Sequence, residues 1–109
     1  MDATILFRAY SDPTRLRILQ VLRRKEHCVG DLMSILRLPQ AKTSRHLAYL
    51  RRAGLVRARE QGLWSYYSLL PARDALHRRL RACLDACLRN PSDERRAAAL
   101  RKGGGCCPR

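Results

Sequence analysis

Cys83-Leu84-Asp85-Ala86-Cys87 sets two thiols four residues apart, and Cys106-Cys107 sets two more side by side behind Gly103-Gly104-Gly105. On a helix, residues four apart share one face a turn apart, so Cys83 and Cys87 can converge on a single ion. Thiolates are soft donors and select soft, thiophilic ions. The competing reading is that both cysteines are small apolar packing residues, since free cysteine is often buried. A fifth cysteine, Cys28, makes the count odd. Met1-Asp2 is not followed by a basic stretch leading into an apolar one, so no secretory leader is expected. An odd count without such a leader argues against a disulfide framework and for reduced thiols.

A second group of side chains suits a different chemistry. Gln40-Ala41-Lys42-Thr43-Ser44-Arg45-His46 packs hydrogen-bonding residues into two helical turns. Gln can bind adenine through two hydrogen bonds and Arg can bind guanine, while Lys42 and Ser44 suit phosphates or bases. No acid occurs from Leu32 to Arg59, yet Arg37, Lys42, Arg45, Arg51, Arg52, Arg57 and Arg59 all fall there. Lys and Arg total 23 against 9 acids, a formal charge of +14, which points to a polyanionic partner.

These residues need elements to hold them. Residues 2–10 read as a short helix, and Ser11-Asp12-Pro13-Thr14 as the capped start of a second one carrying Leu16, Leu19 and Leu22. His27-Cys28-Val29-Gly30-Asp31 breaks the pattern before a short third helix with Leu32, Ile35 and Leu36. Leu38-Pro39-Gln40 reads as a turn and Ala41 to Ala53 as a helix that Gly54 ends. Leu55 to Arg59 and Trp64 to Leu69 read as a β-hairpin around Glu60-Gln61-Gly62, with Arg57 and Arg59 on one limb. Pro71 opens a long helix to about Arg89, stopped by Asn90-Pro91. Two helices around a turn, then a hairpin, predict a mostly α winged helix-turn-helix with a β-hairpin wing. The reading head is then Gln40, Lys42, Thr43, Ser44, Arg45 and His46, with Arg57 and Arg59 on the wing. Residues 1–90 form the expected DNA-binding domain. Residues 91–109 form a flexible tail with at most a weak Ala-rich helix. No apolar run approaches the ~20 residues of a membrane span, so a soluble, cytoplasmic protein without a membrane partner is expected.

Two segments resemble a known family. Ser11-Asp12-Pro13-Thr14-Arg15-Leu16-Arg17-Ile18-Leu19 and Ser44-Arg45-His46-Leu47-Ala48-Tyr49-Leu50-Arg51-Arg52-Ala53-Gly54-Leu55-Val56 are similar to the signatures of ArsR/SmtB-type metalloregulators. The resemblance runs over residues 3–90. It implies a homodimeric repressor, paired through its first and last helices, that releases double-stranded operator DNA when an inducer binds. Residues 1–90 are on that ground the expected dimerisation domain as well. It implies no enzyme activity and no required cofactor. A thiol enzyme acting on an oxyanion would need a cradling Gly-rich loop beside a cysteine at the start of a helix, and none is present.

The inducer site departs from the family pattern. Where the family's arsenic site reads Cys-Val-Cys-Asp-Leu-Cys, this chain has Cys28-Val29-Gly30-Asp31-Leu32-Met33, and one thiol cannot hold a metalloid tightly. Cys28 therefore reads as a buried structural cysteine. Asp74 and His77 have the wrong spacing for the family's zinc site, and no second His follows. Cys83 and Cys87 remain, on a stripe with Leu76, Leu80, Leu84 and Leu88 expected to face the dimer partner, and with Cys106 and Cys107 as candidate additional ligands. Trivalent arsenic, as arsenite or methylarsenite, is the natural soft inducer, with antimonite as its heavier congener. Arsenite has three exchangeable oxygens and suits three sulfurs, whereas methylarsenite suits two. The alternatives on the same fold are a thiol-redox or persulfide sensor, a sensor of cadmium or lead, and a ligand-independent DNA binder.

Overall fold

The computed structural model describes residues 2–103. Helix α1 spans Ala3–Ala9 and is capped by Asp2, whose carboxylate accepts from the Thr4 N–H at 2.7 Å. Helix α2 spans Pro13–Arg24. Asp12 caps it by accepting from the Arg15 N–H at 3.0 Å, and Pro13 sits first, where a missing N–H costs nothing. Helix α3 is Val29–Leu36 and helix α4 is Gln40–Arg52, joined through Arg37 in the left-handed conformation at φ 54°. Gly54, at φ 81°, lets the chain leave α4 where a side chain would be strained.

The hairpin is longer and its turn later than expected. Strands β2, Val56–Gln61, and β3, Trp64–Leu69, pair antiparallel from Val56 opposite Leu69 to Gln61 opposite Trp64. Gly62 and Leu63 make the turn, with Gly62 at φ 61°. A short strand, β1, His27–Cys28, pairs antiparallel with β3 and gives the sheet the order β1-β3-β2. Two residues carry no readable alternation, so in sequence the segment looks like a break. Helix α5 is Ala75–Cys87, starting later than expected because Asp74, not Pro71, caps it by accepting from the His77 N–H at 2.9 Å.

Ile18, Leu19, Leu32, Ile35, Leu47, Leu50, Leu55 and Leu84 meet in one buried core. Each such side chain contributes roughly 1.5–3 kcal/mol relative to exposure. Two expectations are corrected here. The segment from residue 91 is not simply a flexible tail: Pro91–Gly103 forms α6, Ala97 enters the core, and Asp93 is buried. Its Ala-rich sequence hid this, because burial comes from one alanine and one carboxylate rather than an apolar stripe. The α5 stripe also divides. Leu84 turns into the chain's own core and Leu76 and Leu80 pack partly against it, while Leu88 lies exposed.

Candidate nucleic-acid interface and thiol pair

Helix α4 separates cleanly into two faces. Leu47 and Leu50 are fully buried, and Thr43 and His46 turn inward with them. The Thr43 hydroxyl donates to the Pro39 carbonyl at 3.0 Å, one turn back. His46 is buried against α2, with Nδ1 3.5 Å from the Arg15 guanidinium and 3.9 Å from the Asp12 carboxylate. Thr43 and His46 were expected in the reading head, and their burial removes them from it. Both lie on the helix side that Leu47 and Leu50 pull into the core.

Opposite them, Gln40, Ala41, Ser44, Arg45, Ala48, Arg51 and Arg52 are exposed, with Lys42 half-buried at the margin. They form one stripe along the helix. Ala41 and Ala48 were not among the expected contacts, yet their methyl groups can meet a thymine methyl in a groove. The 3.6-residue period measured from Leu47 and Leu50 would have found them.

The two wing arginines differ. Arg57 is exposed and donates through Nε to the Ser68 hydroxyl at 3.2 Å, across the β2–β3 pair. Arg59 donates to both Glu26 carboxylate oxygens, at 2.7 and 3.2 Å, and to the Gln61 side chain at 2.7 Å. Its guanidinium also lies 4.7 Å from the centre of the Tyr66 ring. Glu26 holds the Arg59 pKa above its ordinary value and offsets its charge.

Cys83 and Cys87 are free, exposed thiols on the outer side of α5, one turn apart. Among the described residues no cluster of three or more His, Cys, Asp or Glu could hold a metal ion. Cys106 and Cys107 lie outside the described residues. Cys28 is fully buried and accepts from the Asp31 N–H at 3.4 Å, as expected of a buried structural cysteine. His77 is buried under α5. Its Nδ1 is 3.2 Å from the Arg73 backbone nitrogen and its Nε2 is 3.1 Å from the Arg81 guanidinium. Burial, and then Arg81, push its pKa below the ordinary value. Ile5 and Phe7 of α1 are exposed apolar side chains, as is Leu88 after α5. No helix among the described residues is long and apolar enough to cross a membrane.

Comparison with known proteins matches residues 12–58 to the family "Bacterial regulatory protein, arsR family". The arsenic resistance transcriptional regulator ArsR2 of Pseudomonas putida is 42% identical over 72% of its length and 74% of this chain. The arsenic resistance transcriptional regulator ArsR1 of the same organism is 47% identical over 68 residues, which are 62% of this chain but 53% of that protein. Among solved structures, reduced HlyU from Vibrio cholerae superposes with a TM-score of 0.69 at 34% identity, covering 81% of this chain and 90% of that one.

Proposed function

This chain belongs to the arsR family of bacterial regulatory proteins, and from that premise we propose that it represses an arsenic-resistance operon and lets go of its operator when trivalent arsenic binds Cys83 and Cys87. The observation that carries the reading is the pair of free, exposed thiols one turn apart on α5. Two relatives named for arsenic resistance support the choice of inducer. A two-sulfur site fits methylarsenite, and a third sulfur from Cys106 or Cys107 would complete a site for arsenite.

DNA is held by Gln40, Ser44 and Arg45 toward base edges, with Lys42, Arg51, Arg52 and Arg57 on phosphates. Specific binding needs two such heads about one DNA turn apart, as a homodimer provides. The exposed Ile5 and Phe7 of α1 and the outer side of α5 are the surfaces assigned to that dimer. An arsenical bridging Cys83 and Cys87 pulls both sulfurs onto one atom at this surface and changes how the protomers sit. A coupling of ~1–3 kcal/mol between the two sites gives about 5- to 150-fold release.

The test titrates a bound operator duplex with arsenite, methylarsenite, cadmium and polysulfide. Methylarsenite is expected to release wild type, while Cys83→Ser/Cys87→Ser still binds DNA and stays bound. Release of the double variant at the wild-type concentration sinks the site. A second reading, a thiol-redox sensor, would use the same pair of free, exposed thiols. Release by polysulfide and not by arsenicals would select it.

A further inference from the structure

Asp93 is a carboxylate left 2% exposed in the first turn of α6, and everything it holds leads to the reading head. Arg17 of α2 donates to it through Nε and Nη2, both at 2.9 Å, in a two-pronged pair. Arg96, one turn further along α6, donates to it through Nη2 at 2.8 Å. Each arginine then reaches past the carboxylate. Arg17 Nη2 donates to the Leu36 carbonyl at 2.8 Å, and Arg96 Nε donates to the Ile35 carbonyl. Ile35 and Leu36 are the last two residues of α3, whose carbonyls have no partner within the helix. A guanidinium at that end also meets the negative pole of the helix.

The connection out of this end is short. Arg37, Leu38 and Pro39 alone separate α3 from Gln40, the first residue of α4. Fixing the last α3 carbonyls therefore fixes where α4 begins. Asn90 sets the other end, accepting from the Asp93 N–H at 3.1 Å and so fixing the first turn of α6. Buried ion pairs are poor sources of stability, since apolar packing of the same shape does as well. Forked arginine–carboxylate pairs do supply fixed geometry.

We propose that α6 is a brace for the DNA-reading helix and that Asp93 is its positioning residue, aiming Arg17 and Arg96 at the end of α3 so that α4 meets the groove at one pitch. Asp93 touches no DNA. It acts through α3 and the turn, independently of which inducer the thiols bind.

The test uses the full chain and two duplexes: one that wild type selects from a random-sequence library, and one of unselected sequence. Asp93→Asn keeps the shape and removes the charge. It should weaken binding to the selected duplex about tenfold, the order of one misaligned base contact, and leave the unselected duplex unchanged. Hydrogen exchange at the Leu38 amide, which donates to Met33, should quicken while that of the Leu70 amide, which donates to Leu55, stays as it was. Arg17→Lys keeps a cation against Asp93, but its single nitrogen cannot also span to Leu36. It should reproduce the loss of selectivity, and it decides the matter if Asp93→Asn does not fold. Equal weakening on both duplexes, or a lower unfolding midpoint with selectivity intact, would make α6 a stabilising helix only and overturn the brace.

Discussion

The guanidinium of Arg15 lies over the ring of Tyr49, 4.0 Å from its centre, and so joins α2 to α4. The same guanidinium donates to the Ala9 carbonyl at 3.0 Å and the Arg8 carbonyl at 2.7 Å, at the end of α1. One side chain thus ties three helices together. Arg15→Met is expected to lower unfolding free energy by about 2 kcal/mol, from the lost ring contact and carbonyl bonds. Arg15→Lys should recover little, because an ammonium has no planar fork to stack and donate at once. Urea unfolding of the three proteins checks this.

Gln40→Ala and Arg45→Ala should each cost ~1–3 kcal/mol on a selected duplex and little on an unselected one. Arg57→Ala should weaken both and reduce the salt slope by about one. Arg59→Ala should change DNA binding less than Arg57→Ala, since Glu26 already occupies Arg59. Thr43→Val should leave base preference unchanged. Equal effects at Arg57 and Arg59 would show that the Glu26 pair opens on DNA.

Acidification should destabilise the fold in the range where histidine titrates. Burial is the main cause that lowers the pKa of both His46 and His77, with Asp12 opposing it at His46 and Arg81 adding to it at His77. With folded values below the unfolded value of about 6.5, the unfolded chain takes up protons first. The contribution of each is therefore full above about pH 6.5 and is lost as pH falls through the folded pKa. The urea midpoint should drop between neutral pH and mildly acidic pH, and His77→Gln should flatten that slope. A midpoint that rises on acidification would contradict a depressed pKa at these two histidines.

Replacing Cys106 and Cys107 with Ser should blunt release by arsenite more than release by methylarsenite, because only arsenite calls on a third sulfur. Equal responses of the variant to both arsenicals would leave the pair on α5 as the whole site.

The reading helix was legible in sequence because Leu47 and Leu50 repeat at helical spacing, and the hairpin because aromatic and branched residues flank a glycine. The capping residues Asp12 and Gly54 act on their immediate neighbours, so local chemistry alone placed the start of α2 and the end of α4. The family signature added the function class. Residue type misled where spacing would not have: Thr43 and His46 look like DNA ligands, yet each lies one turn before Leu47 or Leu50, on the side of the helix that the core claims.

The amino-acid sequence by itself determined the order of the main elements, the basic character of the middle of the chain and the spacing of Cys83 and Cys87. Those properties depend on neighbours within a few residues or on composition alone. Only the tertiary structure decided that Glu26 offsets Arg59, that β1 joins the sheet, and that Asp93 reaches Arg17 across the chain. These partners lie far apart in sequence, and neither charge nor spacing says which arginine a carboxylate will meet. That choice is made when packing buries one carboxylate and leaves its lone pairs to whichever donors share the site.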